Sequence, residues 1–158
     1  MINDIRDLVR RTRMMIVRTI LSGINDAPGI QAVQIRLLAG ESKDNVAHLQ
    51  SYGFTAHPHP GAEAVALFMS GDRGHGVVIC VDDRRYRIKG LEEGEVAIYT
   101  DEDLLSGGHR IIFKRGQEIE VHAGEKFTVN VGNGKSVLTM TPAGTTLVTP
   151  DFEADQTA

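Results

Sequence analysis

His57 and His59, separated by one proline, are the residues whose types and spacing first suggest chemistry. In an extended segment, residues two apart point to the same side about 6–7 Å from each other, a spacing that suits two ligands of one metal ion. The next carboxylate along the chain is Glu63, so a third ligand is not at hand. Because prolines flank the pair, we predict a rigid extended loop without a metal, and name His57 and His59 as the residues that would hold one.

A hydrolytic site would have to be built from Asp72, His75, Asp82 and Asp83. No serine lies in a Gly-x-Ser-x-Gly turn and no cysteine–histidine motif is present. The carboxylates fall in predicted turns, where Asp commonly bonds its own backbone. The lone Cys80 lies in an apolar run, which is typical of a small core residue. The sequence therefore predicts a protein that is not an enzyme.

Nucleic-acid binding is the alternative function, because a short basic run surrounds Tyr86. The run consists of Arg84, Arg85, Arg87 and Lys89. Four acidic residues flank it, namely Asp82, Asp83, Glu92 and Glu93. The net charge of −4 gives no general attraction to phosphates, and with aromatic residues at 5% there is little to stack on bases. We expect no nucleic-acid partner.

The longest regular pattern is the stretch from residue 107 to 150, which glycines at 116, 124, 134 and 144 divide at steps of eight to ten residues. Between the glycines lie runs that alternate polar and apolar residues. These runs cover residues 118–122, 126–131, 136–140 and 145–149. Period-2 alternation cut by glycine turns predicts a series of short β-strands.

Each of these strands offers only two or three apolar side chains on one face. A thin ribbon of this kind has nothing in its own chain to bury them against, and its backbone entropy costs roughly 1–2 kcal/mol per residue. Copies of the chain would supply the missing core, so we predict an intertwined β-helix or β-prism in a homotrimer; a β-meander on a globular domain is the alternative. The predicted inward residues are Ile119, Val121, Phe127, Val129, Val131, Leu138, Met140 and Leu147.

The N-terminal residues 1–12 predict a short helix, in which Ile5, Leu8 and Val9 fall on one face. Arg10 and Arg11 follow this apolar stripe near the end of the helix, where basic side chains suit the helix dipole. Two interpretations stay open. The stripe packs on a partner subunit, or the helix covers its own domain.

The segment between helix and ribbon, residues 13–104, predicts a small closed barrel. A hairpin is expected from the runs 13–21 and 30–38, and further strands from 62–69, 76–81 and 94–100. Five or six short strands with glycine-rich turns favour an OB-type barrel. The predicted protein is mainly β, with the helix at 1–12, the barrel at 13–104 and the trimeric needle at 105–158. The N-terminus is mixed in charge, so no signal peptide is expected.

Several blocks resemble one known family. The string GFTAHPHPGAEAVALF at residues 53–68 is the longest, and further blocks lie at 71–78, 82–86 and 90–100. Over roughly residues 3–121 the chain is similar to the Mu-type phage baseplate assembly protein V family, the central spikes of contractile tails. This resemblance implies a trimer in which an OB-fold barrel precedes an intertwined needle that points at the host membrane.

The resemblance also implies the partners and the location. The spike would join a hub protein and the tail tube in the virion baseplate, be assembled in the host cytoplasm, and cross the host outer membrane during infection. The hub-docking candidates are Ile5, Leu8, Val9, Arg10 and Arg11. Phage and bacteriocin versions of this machine stay open.

The chain departs from the family pattern near its end. Family spikes hold an iron ion between His-x-His pairs at the apex, whereas no histidine follows His122 in this sequence. We therefore expect no cofactor in this chain.

Overall fold

The computed structural model describes residues 5, 6, 8, 9, 12, 15–37, 40–72, 74–104 and 108–153, without the side chain of residue 70. The chain is mainly β, as predicted, and divides into two compact units, Met1–Arg87 and Ile88–Ala158. Short 3-10 helices lie at Met69–Gly71 and Asp101–Leu104. The strands are β1 (Ile16–Asn25), β2 (Ala32–Arg36), β3 (Ser42–His48), β4 (Glu63–Phe68), β5 (Gly76–Asp82), β6 (Val96–Tyr99), β7 (His109–Phe113), β8 (Ile119–Ala123), β9 (Phe127–Val131), β10 (Ser136–Thr141) and β11 (Gly144–Val148).

The first unit is a closed barrel with the strand order β1-β2-β3-β5-β4, in which β4 pairs back onto β1. Its strand pairs are antiparallel except β3 with β5, which is parallel. The ten-residue β1 pairs with β4 in its first half and β2 in its second half, and its register shifts between Leu21 and Gly23. Such an irregularity bends a strand and helps a sheet to close. The predicted closed barrel is confirmed with five strands, and its assignment to the OB type stays a prediction.

One hydrophobic core fills this barrel. Its buried members are Leu21, Val33, Ile35, Leu37, Val46, Ala62, Ala64, Ala66, Phe68 and Val78. Phe68 is the largest of them and is 1% exposed. Its ring lies directly over Gly76, where an added Cβ would come within 2.7 Å of Phe68 Cε1. The glycine therefore makes room for the ring that anchors the core.

Strand β3 was not predicted from the sequence, although it closes the barrel. Its sequence SKDNVAH alternates only at the end, where Val46 and His48 are buried. Asn45 has a left-handed backbone, with φ 55°, and the β2–β3 register shifts beside it. The irregularity removes the alternation by which a strand is recognised.

The run 94–100, predicted as a barrel strand, lies in the second unit. Strand β6 pairs with β7, the next strand along the chain, and the division between units falls at Arg87–Ile88 rather than after residue 104. The physical reason is that pairing of β4 with β1 closes the barrel and leaves no free edge for a sixth strand.

The second unit consists of two antiparallel three-stranded sheets. The first sheet contains β6, β7 and β8, and the second contains β9, β10 and β11. The four predicted runs from residue 118 to 149 are confirmed as strands β8 to β11. The β9–β10 turn places Asn133 and Gly134 at φ 55° and 89°, a left-handed pair that tight hairpins favour. These registers are therefore set by local turns.

Part of the N-terminal prediction lies outside the described residues. Residues 5, 6, 8, 9 and 12 have helical backbone, and Thr12 Oγ1 donates to the carbonyl of Leu8 at 2.9 Å. The rest of the stretch up to residue 11 is not described, so the helix at 1–12 stays a prediction.

The prediction that Cys80 is a core residue is wrong, because its side chain is exposed. Strand β5 carries a bulge: Val65 pairs with Cys80 and Ala66 with Val78, which leaves Ile79 as an extra residue. The extra residue places Ile79 and Cys80 both on the outside of the barrel.

Candidate functional site

The predicted histidine pair does not form a metal site with other described residues. His59 packs its ring against Tyr86, with the centroids 5.5 Å apart, and His57 is exposed. Within the described ranges, no group of three or more His, Cys, Asp or Glu side chains is arranged to hold a metal ion.

The four candidate hydrolytic residues lie at two ends of β5. Asp72 and His75 form a pair 2.9 Å apart before the strand, and Asp82 and Asp83 end it. A seven-residue strand is about 20 Å long, so the two pairs do not converge on one substrate. Asp72 also accepts a hydrogen bond from the Gly74 amide at 2.7 Å, and this bond, followed by His75, lowers its pKa. The arrangement is that of a stabilised turn.

The basic run around Tyr86 is largely neutralised within the chain. Arg85 donates to both carboxylate oxygens of Asp83, at 2.8 and 2.6 Å, and to the carbonyl of Pro60 at 3.0 Å. Hydrogen bonding from Arg85 holds the pKa of Asp83 below its ordinary value. Arg84 pairs with Glu63 at 2.7 Å, and Arg18 pairs with the same carboxylate. These contacts give the two arginines a structural role and do not favour nucleic-acid binding.

A buried polar network lies at one end of the barrel. His48 is 7% exposed and its Nδ1 donates to Gln31 Oε1 at 2.7 Å. Gln31 Nε2 in turn donates to Asp26 Oδ1 at 2.6 Å and to the carbonyl of Ala56 at 3.0 Å. Burial lowers the pKa of His48. The network ties the long segment after β3 to the barrel.

The first sheet of the second unit has one apolar face, defined by strand register. Val96 lies opposite Phe113, which lies opposite Ile119, and Ile98, Ile111 and Val121 form the next row. Directly paired residues share a face of a sheet. We call these six residues the first apolar face. All six are exposed, from 36% at Ile111 to 64% at Ile119.

The second sheet repeats this arrangement. Phe127 pairs with Met140, and Val129 pairs with Leu138, which pairs with Leu147. Val131 continues the same face of β9. We call Phe127, Val129, Val131, Leu138, Met140 and Leu147 the second apolar face. Of the residues described in β8 to β11, none is buried.

All eight predicted needle-core residues thus lie on the two apolar faces. Ile119 and Val121 belong to the first face, and the other six make up the second. Four members of the first face were not predicted, namely Val96, Ile98, Ile111 and Phe113. Their signal was two short runs rich in β-forming residues, GEVAIYT and HRIIF, of which the second does not alternate.

The opposite side of the first sheet combines the buried Ile112 with charged groups that are paired within the chain. Arg110 pairs with Asp103 at 2.8 Å, and Lys114 pairs with Glu120 at 2.9 Å. Hydrogen bonds from Lys114 and then His122 hold the pKa of Glu120 below its ordinary value. The two sides of this sheet differ, since these charged groups have partners and the residues of the first apolar face are exposed.

An open groove of about 670 Å³ joins the two apolar faces within the second unit. Its lining includes Ile98, Ile111 and Val121 from the first face and Phe127 from the second. The two faces therefore border one continuous apolar depression.

The predicted hub-docking residues are described in part. Ile5, Leu8 and Val9 are 58%, 64% and 44% exposed, so their apolar stripe does not pack on the chain's own barrel. Arg10 and Arg11 lie outside the described residues. Among the residues that the structure covers, there is also no helix with the length and apolar character to cross a membrane.

Comparison with known proteins connects this architecture to a family. Residues 18–85, which contain most of the barrel, match the family model for Bacteriophage Mu Gp45, N-terminal. The chain is 40% identical over 130 residues to the baseplate puncturing device gp45 of Escherichia phage Mu, covering 78% of this chain and 64% of that protein. It is 33% identical over 125 residues to the Mu-like prophage FluMu protein gp45 of Haemophilus influenzae, covering 79% and 65%.

The chain thus spans just under two thirds of the length of both relatives. The family model matches within the barrel unit, and the similarity continues beyond it, since 130 aligned residues exceed the length of that unit. On these grounds, the chain is similar to the Mu gp45 family of phage baseplate proteins over its barrel and beyond it.

Proposed function

We propose that this protein is the homotrimeric central spike of a contractile phage tail, which is driven through the host outer membrane when the sheath contracts. The observation that carries the proposal is the pair of apolar faces in the second unit, exposed in the single chain. The phage Mu relative is named a baseplate puncturing device, which supports the mechanical role.

The physical argument for assembly follows from the exposed faces. Ten of the twelve apolar side chains on these two thin sheets are exposed in a lone chain, and Phe127 and Leu138 are half-buried, although burying apolar area contributes about 25 cal/mol per Å². Contiguous exposed patches of this kind mark interaction surfaces. Three copies around one axis bury these faces against each other and supply the core that one ribbon lacks. The inward residues are the eight predicted ones together with Val96, Ile98, Ile111 and Phe113.

Exposed strand edges favour the same assembly. Strands β6 and β8 form the edges of the first sheet, and β9 and β11 form those of the second. Unpaired edges bind other strands readily, and intertwined chains cover them. An interwoven trimer unfolds only when all chains separate, so its resistance to force and detergent is kinetic. Such resistance is the property that a puncturing needle requires.

In this proposal the protein works in the tail baseplate of the virion and is assembled in the host cytoplasm. The N-terminal stripe of Ile5, Leu8 and Val9, with Arg10 and Arg11, docks on the hub protein that joins the spike to the tail tube. The host outer membrane is a transient partner. The role is structural and needs neither catalysis nor a cofactor. Because no histidine follows His122, this chain offers no His-x-His pair for an apex iron.

The proposal is tested by the solution mass of the full chain from light scattering, with matched variants. Leu138→Asp places a charge in the middle of the second apolar face, whereas Thr139→Asp places it on the opposite side of the same strand. We expect three chains for the wild type and Thr139→Asp, and loss of the trimer for Leu138→Asp. A wild-type chain that is a monomer at all concentrations would refute the proposal.

Function is tested in particles. A phage lacking this protein is complemented with the wild type or with either variant, and attachment to cells is measured separately from infection. Leu138→Asp should abolish infection while Thr139→Asp supports it. If particles with Leu138→Asp infected as well as the wild type, the proposal that this chain punctures the membrane as a trimer would be refuted.

A further inference from the structure

The outside of the barrel carries an apolar surface that the proposed needle does not explain. We define the outer wall as the outward-facing residues of three neighbouring strands, β1, β4 and β5. These are Ile16, Arg18, Ile20, Glu63, Val65, Leu67, Val77, Ile79 and Cys80. Ile16 is 67% exposed and Ile79 is 47% exposed. Large aliphatic side chains dominate this wall, although the barrel core lies on its other side.

Strand β4 shows this outward apolar character most clearly. Its inward residues are Ala64, Ala66 and, at the end of the strand, the large Phe68, and its outward residues Val65 and Leu67 are also apolar and only half-buried. A strand with one face in water normally alternates apolar and polar residues, and apolar residues on both faces are typical of strands covered on both sides. The bulge in β5 adds to this pattern by placing both Ile79 and Cys80 on the wall.

The charges at one border of the wall complement each other between copies. Arg18 and Arg84 share the single carboxylate of Glu63, and their side chains remain 65% and 66% exposed. Asp82 is paired in register with Glu63 and is exposed, without an ion-pair partner among the described residues. One copy therefore offers an unpaired carboxylate, and the next copy offers two guanidinium groups with free N–H donors.

The chain's own N-terminal stripe does not cover the wall. Ile5, Leu8 and Val9 are themselves exposed, as are the wall residues Ile16 and Ile79. Within the described part of the chain the wall has no cover, so we look for its cover in another molecule. With balanced charges of both signs at its border, the wall suits a second copy of this chain, which presents the same set of groups.

We infer that the outer wall is a contact between barrels of neighbouring copies, in which Asp82 of one copy pairs with Arg18 or Arg84 of the next. This inference goes beyond the needle and rests on the proposed trimer, because the trimer brings barrels side by side. When three walls face one threefold axis, Asp82 of each copy can reach the arginines of the next, and the set of contacts closes into a ring. The barrels of the three copies would then contact one another and contribute to the stability of the trimer.

Cys80 is the only cysteine of the chain and lies on the wall, so it reports directly on whether the wall is covered. The experiment measures the rate at which a small maleimide modifies Cys80 in the full-length chain, together with the mass by light scattering. The reference is a Cys80→Ser variant that carries Ser51→Cys in an exposed loop. In the three-chain form we expect Cys80 to react about tenfold more slowly than the reference thiol, because thiol reactivity follows access.

Two matched variants test the source of the protection. Ile16→Glu alters the wall at a side chain that contributes little to its own barrel, and Ile30→Glu alters a 55% exposed residue in the β1–β2 turn. We expect Ile16→Glu to bring Cys80 to the reference rate, and Ile30→Glu to leave it slow. Circular dichroism checks that both variants are folded.

The outcomes separate this inference from the proposed function. Three chains with a fast-reacting wild-type Cys80 would overturn the wall contact and leave the spike proposal standing, with the wall open to solvent or to another baseplate protein. A Cys80 that stays slow in Ile16→Glu would also overturn it, because the cover would then not depend on the wall. A wild-type monomer would overturn both.

Discussion

The two units of this protein differ in how much of their apolar surface is buried within the chain. The barrel buries Leu21, Val33, Ile35, Phe68 and Val78 to 1% exposure or less within one chain. In the second unit, Ile112 is the one described hydrophobic residue that is buried, at 8%, although the unit contains six strands. A barrel closes on its own inner face, whereas a three-stranded sheet leaves one face open. Strand content alone therefore does not stabilise a unit. Either the sheet closes on itself or a partner covers its open face.

The largest effect that would break this comparison is in the barrel core. Phe68→Ala should lower the free energy of unfolding by about 3–5 kcal/mol, because it removes a ring that Gly76 accommodates and leaves a cavity. Chemical denaturation followed by circular dichroism measures the loss. The matched change in the second unit is Phe113→Ala, at a residue 44% exposed in the single chain. Its cost should appear only in the assembled protein, and an equal cost in a dissociated chain would contradict the contrast.

The second largest effect is expected from dilution, which should change the stability of the second unit but not that of the barrel. Stability of an assembled unit depends on chain concentration, by about 1.4 kcal/mol per association step for each tenfold dilution, whereas a core within one chain is indifferent to it. Thermal unfolding at several concentrations should therefore show a second-unit transition that falls on dilution and a barrel transition that stays fixed. Phe68→Ala identifies the barrel transition. Two transitions that are both independent of concentration would remove the argument for the trimer.

As the pH falls, the barrel should lose stability before its carboxylates are protonated. Burial holds the pKa of His48 below that in the unfolded chain, so the unfolded state takes up a proton first. The contribution of neutral His48 is complete about one pH unit above its ordinary pKa of 6.5 and is lost as the pH falls through the lowered pKa of the folded state. Denaturation midpoints should therefore decrease between about pH 7.5 and 5.5 in the wild type and change less in His48→Gln. The exposed His57→Gln variant serves as the control and should behave as the wild type.

A smaller loss is expected at still lower pH from Asp83. Its pKa is lowered by the hydrogen bonds from Arg85, so the stability from this pair is present above the ordinary carboxyl pKa and is lost as the pH falls through the lower folded value. In Asp83→Asn, the denaturation midpoint should fall less steeply with decreasing pH below about pH 4. Near neutral pH, its dependence on pH should be almost the same as in the wild type. If the midpoints of the wild type and Asp83→Asn fell equally at acid pH, the Asp83–Arg85 pair would not be the source of this loss.

The smallest effect is expected on the polar side of the first sheet. Lys114 and Glu120 form an exposed pair, and exposed ion pairs contribute little. Glu120→Gln should leave both the trimer mass and the denaturation midpoint unchanged. Val121→Asp, one residue along β8 and on the first apolar face, should reduce the trimer fraction in the same mass measurement. A larger loss from Glu120→Gln would mean that charge, not apolar burial, holds the second unit.

Much of the candidate site was predictable because face membership in a strand depends only on period 2. The registers of β9, β10 and β11 place Phe127, Val129 and Leu138 on one side, as the alternation predicted. The N-terminal half of the same surface was missed because β7 was not recognised and β6 was assigned to the barrel. The role of the basic run was not predictable either. Arg84 forms a hydrogen bond with Glu63, which lies 21 positions away in the sequence, and only the fold brings the two together.

By itself, the sequence determined where most strands lie and which side chains share a face, because alternation and glycine turns act within a few residues. It also determined that the second unit lacks a core of its own. Only the tertiary structure decided how the barrel closes, through the parallel β3–β5 pairing between distant segments. It also decided that Cys80 faces outward, because a bulge depends on how two strands are paired. Contacts between distant residues have no local signature, so these features exist only once the chain has folded.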